Sequence, residues 1–356
     1  MAYTTDEIRS ILQKIIHPSS GDDIVSMNLV KDLEVNGTKV QFKLSFPSVN
    51  DPLKNSLKKA CEKFLLDVPG IDEVDVKIET QLQPVKPKPE PEPDLQGVKH
   101  VVAISSGKGG VGKSTVAANI AVAFAKSGAK VGLIDADIYG PSIPKMLGVE
   151  GDRPSVIKKN GKDLIVPIEK NGVKILSIGF FVSKDDATIW RGPMASNALT
   201  QLISDGDWGE LDYLFVDLPP GTSDIHITVS QNKKLTGAVI VSTPQDIALA
   251  DVIKGISMFK NDGIDVPVLG LIENMAWFTP EEMPDNKYYI FGKGGCESLA
   301  AEKGVPFLGH IPIIQSVRED ADNGTPAVLR KDMAAEYFKN IAEQIRLEVL
   351  KVEANN

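Results

Sequence analysis

Cysteine is almost missing from this chain. Its 356 residues include two, Cys61 and Cys296, far apart in sequence. That excludes a disulfide framework and a multi-cysteine metal site built within one chain. So few thiols suit a reducing compartment. Histidine is nearly as scarce. His17, His100, His226 and His310 are dispersed and show no metal-ligand spacing, so a structural role is expected for each; His226 is the best exception because of the segment it follows. No run approaches the ~18 apolar residues of a membrane span, and the opening MAYTTDEIRS has no apolar signal region. Basic residues are outnumbered, 39 Lys and Arg against 48 Asp and Glu, for a net charge of −9. That balance speaks against a non-specific nucleic-acid binder and against adhesion to an anionic membrane. The expectation is a cytoplasmic protein that binds neither.

What is present is a globular composition, 42% hydrophobic and 24% charged, in a chain long enough for two cores. The clearest boundary is Pro84-Val-Lys-Pro-Lys-Pro-Glu-Pro-Glu-Pro-Asp94. Proline at alternate positions with charges between favours extended polyproline II, a semi-rigid spacer of roughly 30 Å. The expected organisation is a small domain over 1–82, a linker over 83–97 and a large domain over 98–356.

The small domain reads α-β-β-α-β. Thr4-x-x-Glu7 is a capping box. Ile8, Ile11, Leu12, Ile15 and Ile16 follow at helix spacing. Asn36-Gly37 signals a hairpin turn, leading into alternating Val40, Phe42, Leu44 and Phe46. Leu53, Leu57, Ala60, Cys61, Phe64 and Leu65 mark a second amphipathic helix, and Val74, Val76 and Ile78 a third strand. Cys61 lies on the apolar stripe and is expected in the core.

The large domain alternates helices with the apolar runs HVVAIS, KVGLID, VKILSIG, DYLFVD, GAVIVST, VPVLGLIE and VPFLGHIP. Continuous rather than alternating Val, Ile and Leu indicate a mainly parallel sheet covered on both faces, a doubly wound α/β fold. Gly107-x-x-x-x-Gly112-Lys113-Ser114 fits the phosphate-loop pattern, with a strand before it and a helix from about Ser114. Backbone amides of such a loop converge on phosphate oxygens at a helix N-terminus. Lys113 is expected on the β- and γ-phosphates and Ser114 on Mg²⁺. Asp217 ends a strand where a Walker-B aspartate belongs. Asp135 and Asp137 end another, and one of the two could orient a water. The turn in DLPPGTSD, from Asp217 to Asp224, could sense the γ-phosphate. One residue is surplus: ISSGKGGVGKST holds a second lysine, Lys108.

That extra lysine makes GKGGVGKST resemble the deviant Walker-A loop of the MinD/ParA/nitrogenase-iron-protein class of ATPases. DADIYGPSIPKMLG, WRGPMAS, DLPPGTSDI, STPQDIALAD and IENMAWF, with the N-terminal α-β-β-α-β domain, narrow the resemblance to the Mrp/ApbC family of iron–sulfur cluster carrier ATPases. The resemblance spans nearly the whole chain. It implies a P-loop NTPase fold, hydrolysis of ATP with Mg²⁺, a homodimer and apoprotein clients. It implies nucleotide contacts along Gly107, Lys108, Gly109, Gly110, Val111, Gly112, Lys113, Ser114 and Thr115. It implies that Lys108 reaches the partner subunit's nucleotide, as an arginine finger does. Asp137 matches the switch aspartate near the attacking water, Asp217 the Walker-B position and Asn274 an adenine contact.

The chain departs from the family at its thiols. Many relatives carry C-x-x-C soon after the ENM segment, so that two subunits supply four thiolates to a bridging cluster. Here residues 274–292 contain no cysteine, and a C-P pair of the small domain becomes Asp51-Pro52. Cys296 is the only thiol of the large domain; two copies would need further ligands such as Glu281 or Glu282. An incidental helix cysteine is the expectation. WRGP, with Trp190 and Arg191, suggests no chemistry of its own. Two alternatives stand beside the cluster carrier. A MinD/ParA-type positioning or partitioning switch would want a basic amphipathic tail or basic surface, whereas this tail is acidic on balance. An ATP-dependent adaptor would recruit clients without handling iron.

Overall fold

The computed structural model describes residues 3–15, 23–46, 54–80, 95, 97–138, 140–159, 161–181, 192–230, 234–261 and 263–355. The Pro-rich stretch 84–94, Asp51-Pro52, His17, and the Trp190-Arg191 pair lie outside them. The chain divides into two compact units, Met1–Glu90 and Pro91–Asn356.

The first unit runs α1 (Thr5–Leu12), β1 (Val30–Asn36), β2 (Lys39–Phe46), α2 (Lys54–Leu66) and β3 (Glu73–Thr80). The capping box forms: the Glu7 amide donates to Thr4 Oγ1 at 3.3 Å and the Thr4 amide to Glu7 Oε2 at 2.8 Å. The helix stops at Leu12, sooner than its apolar stripe predicts, and Ile15 is buried beyond its end. β1 and β2 are antiparallel with Asn36 opposite Lys39. Gly37, at φ +67°, opens the turn between them. β3 pairs with β2 in parallel. Val40, Phe42, Leu44 and Phe46 meet Leu57, Cys61, Leu65 and Val76 in one core. Cys61 is fully buried, as its stripe requires.

The second unit contains β4 (Val98–Ser105), α3 (Lys113–Lys126), β5 (Val131–Asp135), α4 (Ile143–Met146), β6 (Ser155–Lys159), β7 (Lys162–Val166), β8 (Ile168–Lys170), β9 (Val173–Ser177), α5 (Gly192–Ser204), β10 (Leu211–Asp217), α6 (Asp224–Ser230), β11 (Leu235–Ser242), α7 (Asp246–Phe259), β12 (Val268–Phe278), α8 (Gly295–Lys303), β13 (Phe307–Ile313), α9 (Gln315–Asp322) and α10 (Met333–Asn355). Eight strands make one sheet in the order β13-β12-β11-β4-β10-β5-β9-β8. All seven continuous apolar runs are strands of it, and they pair with one another in parallel.

Both faces of this sheet are covered, which is why its strands are apolar throughout. Val102 and Ile104 of β4 pack with Ile120 of α3 and Phe338 and Ile345 of α10. Val101 and Ala103 point the other way, to a core with Leu199 of α5 and Val252 and Ile256 of α7. The acidic tail is thus a packing helix, burying Phe338, Ile341, Ile345 and Val349. Two features go beyond the seven runs. β8 closes one edge as an antiparallel strand, and β6 and β7 form a separate hairpin.

Candidate functional site

β10 lies between β4 and β5. In register, Asp217 stands level with Ile104 on one side and with Asp135 on the other. Parallel strands end on the same edge, so the phosphate loop and both acidic strand ends arrive together. Ligands of doubly wound folds gather at this edge.

The loop then turns into α3 through two glycines. Gly110 and Gly112 have φ of +82° and +83°, where any side chain adds strain. Gly112 is the N-cap of α3, and no side chain caps that helix. Its first amides and dipole therefore face the loop as an anion site. A Cβ on Gly112 would strike the Asn274 carboxamide, and one on Gly107 would strike Asp251 and Val252 of α7. The loop, with Asp137, Ser142 and Pro220, bounds a cavity of about 180 Å³.

The sequence-predicted residues divide at this cavity. Lys108 through Thr115 and Asp137 line it; Gly107, Asp217 and Asn274 do not. Lys113 Nζ lies 2.7 Å from Asp217 Oδ1 and 3.2 Å from Ser114 Oγ. Asp217 is fully buried, and its Oδ2 has no hydrogen-bond partner among the described residues. Burial raises its pKa, against the opposing charge of Lys113. Asn274 donates 2.7 Å to the Val111 carbonyl, bracing the loop from β12. Lys108 Nζ donates 3.1 Å to Gln245 Oε1 of the same chain. Gly221, in the Pro-Pro-Gly turn, donates its amide to the Ser106 carbonyl at 2.9 Å, tying that turn to the loop.

Asp135 and Asp137 separate clearly. Asp135 is fully buried and accepts from Ser177 Oγ at 3.0 Å, from the Ile143 amide at 3.2 Å and from the Asp137 amide at 3.2 Å. It anchors the segment that follows β5. Burial first, then the nearby charge of Asp217, pushes its pKa up to about 7. Asp137 is the one at the cavity wall.

Cys296 is fully buried in the first turn of α8. Its amide donates to Glu273 Oε2 at 2.8 Å, and its thiol faces the Thr243 carbonyl at 3.8 Å. Burial, reinforced by Glu273, pushes that thiol up to about 12. The thiol is shielded within its own chain, while Glu281 and Glu282 are exposed. Among the described residues no group of three or more His, Cys, Asp and Glu is placed to hold a metal ion.

The described histidines are structural in their contacts. His100 meets Glu353 at 3.1 Å and packs on Tyr213. His310 lies 3.5 Å from Glu273 and packs beside Trp277 and Phe307. His226 is fully buried in α6 and accepts from the Ser223 amide at 3.1 Å through Nδ1. Burial, then the Lys113 charge, lowers its pKa to about 4. Sequence reasoning missed Gln245 and Ser177. Neither carries a local signal, since each is recruited by a residue distant in the chain.

Among the described residues no helix is long and apolar enough to cross a membrane. The chain is 41% identical over 344 residues to an iron-sulfur cluster carrier protein from Synechocystis, covering 96% of this chain and 97% of that one. It is 47% identical over 340 residues to an iron-sulfur cluster carrier protein from Aquifex aeolicus, covering 88% and 90%. Among solved structures, a nucleotide-binding protein from Archaeoglobus fulgidus in complex with ADP aligns with a TM-score of 0.56 and 39% identity, over 65% of this chain and 88% of that one. Residues 5–78 match the family described as iron-sulfur cluster assembly protein. Residues 97–346 match a second family, and the chain belongs to it: the NUBPL iron-transfer P-loop NTPases, which makes it a P-loop ATPase.

Proposed function

We propose that this ATPase carries iron–sulfur clusters to apoprotein clients, working as a homodimer in the cytoplasm. The observation that carries the ATP half is the convergence of Lys108–Thr115, Asp137 and the Lys113–Asp217 pair around one loop. The cluster half draws support from relatives with that printed role, matched over most of both chains.

Each residue then has a task. Amides of Gly109 to Gly112 and the α3 N-terminus receive phosphate oxygens. Lys113 swings from Asp217 to the β- and γ-phosphates. Ser114 and Asp217 are the residues that would hold Mg²⁺, and the orphaned, buried Asp217 Oδ2 suits an oxygen-seeking cation or its bound water. Bound there, Mg²⁺ supplies positive charge to the β- and γ-oxygens. Asp137 orients the attacking water. Lys108 stabilises, across the dimer, charge that develops in phosphoryl transfer. Asn274 holds the loop through Val111 and can still meet a base at its edge.

The cluster is cargo, and neither buried thiol fits it as a ligand. That observation favours one second reading, an adaptor that recruits clients without binding a cluster. Anaerobic reconstitution with iron and sulfide separates the two. The carrier reading expects iron, sulfide and a broad visible absorption in wild type, unchanged in Cys296→Ala, with transfer to an apoferredoxin. Iron at background in both preparations sinks the carrier reading and leaves the adaptor.

A further inference from the structure

The contact between Lys108 and Gln245 joins residues 137 positions apart at 3.1 Å. Both ends of it are fixed. Ser106 Oγ donates to the Lys108 carbonyl at 3.0 Å. Gly107 is pressed so closely on α7 that a Cβ would strike Asp251 and Val252. The phosphate loop therefore packs directly on α7. Gln245 occupies the N-cap position of α7, yet its side chain caps nothing. Serine, threonine, aspartate or asparagine would serve a cap better. The carboxamide oxygen is instead turned to the ammonium.

The chemistry of the pair fits a reversible hold. A carboxylate would pin Lys108 by charge; a neutral amide oxygen offers one hydrogen bond at a partly exposed position. Such a bond is worth about three- to tenfold in an equilibrium constant. A triphosphate, carrying several negative charges, outcompetes it readily. We propose that Gln245 is a positioning residue for Lys108. It keeps the ammonium on its own chain until the partner subunit's nucleotide takes it, and so sets the protein concentration at which hydrolysis reaches its plateau. The inference rests on the reading that Lys108 acts across a dimer.

The test is specific ATPase activity against protein concentration, with sedimentation in Mg²⁺ and a non-hydrolysable ATP analogue alongside. Gln245→Ala should move the half-maximal concentration about three- to tenfold lower, because no hydrogen bond has to be broken. Gln245→Met, which keeps the length and replaces the amide oxygen with a much weaker acceptor, should do the same. Gln245→Glu should move it at least tenfold higher. Sedimentation midpoints should shift in parallel. A lower plateau in the Ala and Met variants at an unmoved midpoint would instead mean that the amide serves the chemistry directly, and overturns the hold. Unmoved midpoints and plateaus overturn it too. Failure of the underlying reading shows separately. Lys108→Ala and Asp137→Asn subunits would then fail to complement on mixing, whatever Gln245 does.

Discussion

Lys113 Nζ sits 2.7 Å from Asp217 Oδ1 with both side chains shut away from solvent. The lysine we propose for the phosphates and the aspartate we propose for the metal therefore pair with each other at the floor of the loop. On that reading, exchanging the pair for contacts with Mg²⁺ and nucleotide would bury little net charge, since cation and anion arrive together.

The pair predicts an asymmetry between stability and activity. Lys113→Ala strands a buried carboxylate, and removing one partner of a buried pair costs about 3–5 kcal/mol. Protonation of Asp217, whose pKa burial already raises, limits the loss to the lower end of that range. The double variant Lys113→Ala/Asp217→Asn should regain much of the melting temperature. Neither should hydrolyse ATP or bind it tightly. Thermal unfolding and titration calorimetry check both halves; normal nucleotide affinity in Lys113→Ala would remove the phosphate-loop assignment.

The two aspartates after β5 should behave differently. Asp137→Asn should keep ATP binding and its melting temperature while losing about 10²-fold or more in turnover, the usual worth of a proton-handling or water-orienting group. Asp135→Asn puts an amide nitrogen in place of one acceptor and disturbs the bonds from Ser177, Ile143 and Asp137. Its effect should appear in stability and in the ordering of residues 136–143. Normal hydrolysis by Asp137→Asn would shift the water-orienting role to Asp135.

His226 predicts a pH signature. Its pKa falls from about 6.5 in the unfolded chain to about 4 in the fold. Between those values the unfolded chain binds more protons, so stability rises with pH; on acidification it is lost from about 6.5 down to about 4. The effect is of order 2–3 kcal/mol. His226→Asn retains an acceptor for the Ser223 amide and does not titrate. Denaturant unfolding of both proteins at pH 4.5 and 7.5 should show a smaller pH difference in the variant. Equal differences would place His226 among groups that ionise freely.

Long-range pairings were the part that pattern could not reveal. The seven apolar runs are legible because both faces of the sheet are buried, so each strand repeats its chemistry in every residue. β6 is exposed at all five positions, leaving no burial pattern to read. The phosphate loop is legible because glycine spacing and a following helix suffice to define it. The partners of its side chains are not. Gln245 meets Lys108, and Asn274 meets Val111, through the order of strands in the sheet. Cys296 could be placed near the start of a helix from sequence, but its buried contacts come from Glu273 of β12 and from Thr243, just past the end of β11.

Lys108 supplies the last prediction. If it acts across a dimer, Lys108→Ala should bind nucleotide nearly as wild type does, since Lys113 and the loop amides remain. Its hydrolysis should fall by 10³-fold or more, the usual worth of a charge supplied in trans. Mixing it with Asp137→Asn subunits then gives a discriminating measurement. In a mixed dimer, the site on the Lys108→Ala subunit keeps its own Asp137 and receives Lys108 from its partner. That site has both groups and should recover activity, to about half of wild type per mixed dimer if the two sites work independently. A Lys108 acting on its own nucleotide predicts no rescue, because every site then lacks one of the two groups. Steady-state activity across mixing ratios, after subunit exchange is verified, reads the difference. Single-turnover measurements accompany it, because strong coupling between sites would hide rescue in the steady state but not in the first turnover. No activity above the sum of the two parents in either measurement would return Lys108 to its own site.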